Sequence, residues 1–226
     1  PRSTLFPYTT LFRSVLPAFK DKRYIRVNDE PVFVVYAPLE IPDALSFISL
    51  WKKLALENGL KGIHFVGLAG GWLEICQQVL NLGFDAIIPG NMWSAESKVR
   101  GKYLKLIQSV IRQKFPEIML DKYKYKSIIK HFYTDIDKQE NSYPSIVPQW
   151  DRSPRSGRKA IIYTGSTPEL FERHVKDAID IISHKPEEKK ILFLRSWNEW
   201  AEGNYVEPDL KFGNGYLKAL KKAIVD

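Results

Sequence analysis

The 226 residues are 44% hydrophobic and 27% charged, with a formal net charge of +8. Such a composition gives one sizeable core and excludes disordered and fibrous chains. The lone cysteine, Cys76, excludes an internal disulfide and a cysteine-cluster metal site.

The four histidines (His64, His131, His174 and His184) have no ligand-like spacing, so no metal or other cofactor is expected. No run reaches the ~18 apolar residues of a membrane span. Lys and Arg are dispersed, with small clusters at 20–26 and 152–159, whereas a nucleic-acid protein concentrates them in a stripe. The surplus charge reads as ordinary solvated surface, with attraction to an acidic polysaccharide the alternative; no nucleic-acid partner and no membrane span are expected. A cytoplasmic location is expected.

Residues 4–14 read TLFPYTTLFRS, which matches the translation of a common sequencing adapter residue for residue. Residues 1–14 are therefore expected to be non-native, with few packed contacts, and the natural chain is expected to begin upstream of Val15. Arg2 and Arg13 fall in this segment, so without them the surplus is +6.

Beyond residue 14, apolar runs alternate with amphipathic stretches. Pro31–Tyr36 reads as a strand after the turn-like Val27-Asn28-Asp29-Glu30. Pro42–Asn58 has helical spacing and stops at Gly59. Gly62–Gly67 is a strand, Gly71–Leu82 a helix ended by Gly83, and Phe84–Pro89 a third strand. Lys98–Lys114 is helical, with Leu104, Ile107, Val110 and Ile111 on one side, and Tyr125–Tyr133 is a shorter helix. Tyr143–Trp150 is a fourth strand whose far end Pro148 limits. Thr167–Ser183 is a helix with Thr167 as N-cap and Pro168 in its first turn. Ile191–Trp197 is the fifth strand and Asn214–Val225 the closing helix. Trp51 and Trp72, on helical patterns, and the single thiol are expected in the core.

Continuous apolar strands alternating with helices describe an α/β chain with a parallel sheet. Alternation does not separate an open doubly wound sheet from a barrel. No glycine-rich dinucleotide or P-loop motif follows any strand. A complete barrel has eight units in ~250 residues, so five units are expected to form an open sheet, the C-terminal part of a truncated (β/α)8 barrel, inactive on its own.

In such a fold, function gathers where strands end. Those ends carry Tyr36, Trp93, Trp150 with Asp151 and Arg152, and Trp197-Asn198-Glu199-Trp200-Ala201-Glu202. Indole faces stack on sugar rings, while carboxylates, Asn and Arg bind hydroxyls, so this set favours a carbohydrate ligand. Glu199 and Glu202, three residues apart, present two carboxylates on one side of a helix-like turn. Glycoside cleavage needs such a pair; the alternative is a solvated acidic turn at a helix start. Trp150, Trp197 and Trp200 are expected to border one concave surface. Asp151 and Arg152 either bind a hydroxyl or pair locally. Trp93 and Trp150 are sugar platforms or barrel-mouth caps, and Tyr36 reaches the site or packs.

The segments ILFLRSWNEWAEGNYVEPD and FGNGYLKAL, with YPSIVPQWDRSPRSG and RYIRVNDEPVFVVYAPLEIPD, resemble the glycoside hydrolase family 99-like domain. Its members are also described as WbsX-like glycosyltransferases of polysaccharide biosynthesis. The resemblance spans most of residues 23–220. It implies a (β/α)8 barrel with these strands as the fourth to eighth. It also implies a retaining mechanism in which Glu199 assists the substrate's own 2-hydroxyl and Glu202 is the general acid/base. Ala201 stands where the characterised endo-α-mannosidases carry His, which removes a polar contact beside Glu202. The partner expected is an oligosaccharide or polysaccharide of a bacterial surface. The alternatives are a glycosyltransferase or accessory protein of lipopolysaccharide or capsule assembly, and a non-catalytic sugar-binding barrel.

Overall fold

The structure is a computed structural model. It describes the backbone of residues 5–115 and 121–225, and the side chains of these except 5–7, 102–109 and 112.

Strands β1 (Arg26–Val27) and β2 (Glu30–Val35) form a tight hairpin in which Val27 faces Glu30. Its two turn residues, Asn28 (φ 51°) and Asp29 (φ 68°), sit in the left-handed region that this turn demands and that Asn and Asp tolerate. Beyond the hairpin the chain runs parallel. β2 pairs with β3 (His64–Leu68), and β3 with β4 (Ala86–Ile88). Ile87 bridges Ser142 in parallel, and β6 (Ser145–Ile146) pairs with β9 (Phe193–Leu194). The five expected strands thus follow one another in sequence order around a curled half-barrel sheet. Among the described residues no ladder joins β9 back to β2.

Alternation along the strands sorts the two faces. Val32, Val66, Ala86 and Ile88 point inward, with Val27 and Tyr143. Phe33, Phe65 and Ile87 point outward, to α2 (Ala44–Glu57) and α3 (Leu73–Asn81). Trp51 of α2 is fully buried there, and Cys76 nearly so. Burial pushes the Cys76 thiol up to about 11, so it stays protonated and inert. Trp72 departs from expectation: it precedes α3 as its N-cap and is 46% exposed.

The N-terminal segment also departs from expectation. Leu5–Lys20 forms α1, which lies against α2. Tyr8, Phe12, Leu16 and Phe19 recur at helical spacing, so their rings share one face. Phe12 is fully buried with its ring edge-on to Trp51 at 5.5 Å, and the Trp51 Nε1–H donates to the Tyr8 carbonyl at 3.0 Å. Tyr8 and Phe12 of this segment therefore do make packed contacts.

The fourth strand is shorter than its pattern. Pro148 breaks the run, and Trp150–Asp151 (β7) turns away to pair antiparallel with β8 (Ile162–Thr164). β8 pairs in parallel with β5 (Lys122–Lys124). This side sheet, β5-β8-β7, packs Trp150, Tyr163 and Tyr123 against Met92 and Ala95 of α4 (Met92–Lys114). α4 begins six residues before its predicted start and breaks at Gly101, φ 67°. Leu104 and Ile107 lie outside the described side chains. The Tyr125–Tyr133 helix shortens to α5 (Tyr125–Ile129), and Ser153–Ser156 forms a short α6.

α7 (Pro168–Ile182) begins as predicted, with Thr167 Oγ1 accepting from the Leu170 amide. It packs through Phe171, Val175 and Ala178 on Tyr216 and Ala219 of α8 (Gly215–Val225). Among the described residues no helix is long and apolar enough to cross a membrane.

Candidate active site

A cleft of about 610 Å³ opens at the C-terminal ends of the parallel strands. Tyr36 follows β2, Ala69 and Gly70 follow β3, and Trp93 and Glu96 follow β4. Arg195 and Ser196 follow β9, Trp150 comes from β7, Arg155 from α6, and Arg152 from the junction between them. Glu199 and Glu202 complete the wall.

The two glutamates are held by a small hairpin. β10 (Asn198–Glu199) pairs antiparallel with β11 (Asn204–Tyr205), and a single helical turn, 200–202, joins them. Asn204 is buried and fixes the hairpin to the end of β9. Its Oδ1 accepts from the Ser196 amide at 3.0 Å, and its carbonyl accepts from Ser196 Oγ at 2.8 Å. Ser196 Oγ in turn accepts from the Glu199 amide at 3.2 Å. Gly203 makes the close approach possible. It has φ 52°, and a Cβ there would lie 3.0 Å from both the amide nitrogen and the carbonyl oxygen of Asp151.

Both carboxylates face the cleft, in different surroundings. Glu202 Oε1 accepts from Arg155 Nη1 at 2.8 Å and lies 3.3 Å from Arg152 Nε, an ion pair without hydrogen-bond alignment. Glu199 has no ion-pair or hydrogen-bond partner for its carboxylate among the described residues. Arg152 thus pairs at a distance, with Glu202, and Asp151 instead accepts from the Ser153 amide at 2.8 Å.

Tyr36, Trp93, Trp150 and Arg152 join the glutamates on the cleft wall, whereas Asp151, Trp197, Asn198 and Trp200 lie off it. Trp150 lines this cleft but Trp197 and Trp200 do not, so the three indoles expected to border one surface do not all border it. Trp200 stacks on Tyr205 at 3.6 Å, and its Nε1–H donates to Glu207 at 2.8 Å. Trp197 is half exposed elsewhere on the surface.

Glu96, Arg155, Arg195 and Asn204 are site groups that the sequence did not single out. Glu96 is 6% exposed and accepts from the Tyr163 hydroxyl at 2.6 Å. Burial raises its pKa, opposed by the Tyr163 hydrogen bond and the nearby Arg100. A usable signal was its position, five residues past Asn91 at a strand end. No group of three or more His, Cys, Asp or Glu suited to a metal occurs among the described residues.

The curled parallel sheet is similar in fold to glycoside hydrolase family 99 proteins. A solved glycoside hydrolase-like protein aligns with a TM-score of 0.58 at 16% identity, and the GH99 endo-alpha-mannosidase from Bacteroides thetaiotaomicron with 0.57 at 15%. Each alignment covers 96% of this chain and 60% of the other. The chain belongs to the family described as Glycosyltransferase WbsX, which it matches over residues 7–220. The protein WxcX of Xanthomonas campestris pv. campestris, in strains B100 and ATCC 33913, is 26% identical over 208 residues. Those residues are 91% of this chain, but the chain spans only 28% of the length of WxcX.

Proposed function

We propose that the protein is a carbohydrate-active enzyme that cleaves α-linked sugars of a bacterial surface polysaccharide by retaining hydrolysis. Residues 15–226 are then the last five units of an eight-unit barrel, and residues 1–14 an adapter-derived extension. The observation that carries the reading is that Glu199 and Glu202 face one cleft at the strand ends beside the indoles of Trp93 and Trp150. Glu199, whose carboxylate is unpaired, polarises the substrate's 2-hydroxyl. Glu202 serves as general acid/base, held in register by Arg152 and Arg155. Those arginines supply the polar support that Ala201 cannot.

A second reading, favoured by the description of the family itself, is glycosyl transfer within polysaccharide biosynthesis. The same pair would then activate an acceptor hydroxyl, and the arginines would face an anionic donor.

The test is turnover of α-linked oligosaccharides by the complete protein. Glu202→Gln is expected to lower the rate by ~10²-fold or more, since general acid catalysis contributes ~10²–10⁴-fold. A near-normal rate in that variant refutes the assignment. Release of reducing sugar into water supports hydrolysis; product formation only with an activated sugar donor supports transfer.

A further inference from the structure

Three guanidinium groups line the cleft, and one is not neutralised. Arg155 and Arg152 share Glu202, at 2.8 and 3.3 Å. Arg195, at the end of β9, lies over the Trp150 indole at 5.1 Å from the ring centre. Among the described residues no carboxylate comes within ion-pair distance of it. Glu202 is already engaged, and Glu96 is buried against the Tyr163 hydroxyl.

Stacking on an indole uses the flat face of a guanidinium and leaves its in-plane N–H donors unspent. On the same wall, Trp150 Nε1 is buried without an acceptor, while Arg152 Nε faces Glu202 at 3.3 Å without hydrogen-bond alignment. The open groups of Arg195 and Trp150 are thus donors, and buried donors ordinarily have partners; Glu199 and Glu40 line the same cleft, so an anion fits only on the arginine side. A sugar hydroxyl offers one oxygen and no charge. A carboxylate or phosphate offers two parallel acceptors and the opposite charge, which fits the fork of an arginine.

We propose that Arg195, stacked on Trp150, is the subsite for an anionic group on the sugar ligand, a carboxylate or a phosphate, and that it selects charged over neutral sugars. The inference rests on the carbohydrate reading and specifies its substrate class.

Saturation-transfer NMR on the complete protein, with glucuronate, glucose 1-phosphate and glucose as probes, tests it. At least one charged sugar is expected to bind about tenfold more tightly than glucose, the difference between a charge-assisted and a neutral hydrogen-bonded contact. Arg195→Gln is expected to erase that preference, and Arg195→Lys to retain part of it. Tighter glucuronate binding identifies a carboxylate on the glycan; tighter glucose 1-phosphate binding identifies a phosphate on the donor. Glucose binding as tightly as both charged sugars overturns the inference and leaves the carbohydrate reading standing. That comparison needs no variant, so a folding failure of Arg195→Gln does not obscure it. A charge preference that survives in a folded Arg195→Gln protein also overturns it. If no sugar binds, charged or neutral, both readings fall.

Discussion

His174 of α7 is fully buried, stacked on Tyr133 at 5.1 Å and edge-on to Phe132 at 4.8 Å, and its Nδ1 has no partner. Burial lowers its pKa to about 3, so the imidazole is neutral in the folded protein. In the unfolded chain it takes a proton near its ordinary value of ~6.5. Between these two values the unfolded state binds more protons, so stability rises with pH across that window. The full contribution is present above pH ~6.5 and is lost as pH falls toward 3. At pH 5 the gap of ~1.5 units below the unfolded value costs about 2 kcal/mol, at ~1.36 kcal/mol per unit. His174→Phe keeps an aromatic ring in the stack and removes the titration. Urea unfolding of both proteins at pH 7.5, 6 and 5 isolates the effect, because carboxylates such as Asp177 titrate in both and cancel. The stability of the parent relative to His174→Phe is expected to fall by about 2 kcal/mol from pH 7.5 to pH 5. A difference that stays flat across that range refutes the reasoning.

Gly203→Ala places a Cβ against the Asp151 backbone at a positive φ, and is expected to cost ~1–3 kcal/mol in denaturant unfolding; a neutral result means that the hairpin does not rest on β7. Phe12→Ala is expected to cost ~3–5 kcal/mol, as for other buried rings; a loss below ~0.5 kcal/mol would mean that its packing on Trp51 does not stabilise the fold. Trp93→Ala removes an exposed ring from the cleft rim and is expected to weaken oligosaccharide binding about fivefold, or ~1 kcal/mol, by calorimetry, with unchanged affinity as the contrary outcome.

Periodicity was enough to locate the centres of the five parallel strands, the Asn28-Asp29 turn and the Thr167 cap, because each is a local matter of alternation, backbone freedom or a side-chain acceptor. The side sheet was not legible. β5 is Lys-Tyr-Lys and β8 is three residues long, too short for a pattern, and β7 reads as the tail of the preceding strand until Pro148 is seen to end it. Missing that sheet hid Arg155, which reaches Glu202 only because β7 turns outward and α6 follows it. Glu96 was hidden differently: it lies in the first turns of α4, ahead of the predicted helix start at Lys98, and only the packing of Tyr163 from β8 reveals it as buried. The exposure of Trp72 has the same origin, since helical spacing does not say where a helix begins.

The candidate site therefore depends on more than its most recognisable motif. Glu199 and Glu202 lie on one hairpin, yet their surroundings come from separate parts of the chain. Glu202 meets two guanidiniums, one from the N-cap and one from the body of α6, which follows β7, while Glu199 is left open to the cleft. Glu96, a third carboxyl, is buried behind Tyr163. Two chemically identical groups acquire different roles only when their environments differ, and here that difference is imposed by the side sheet. Gly203 couples the two parts, since its contact with Asp151 sets the height of the hairpin against β7. A change that loosens the side sheet without touching either glutamate should then act on Glu202 first, by withdrawing its arginines, while leaving the Ser196–Asn204 anchor of Glu199 intact.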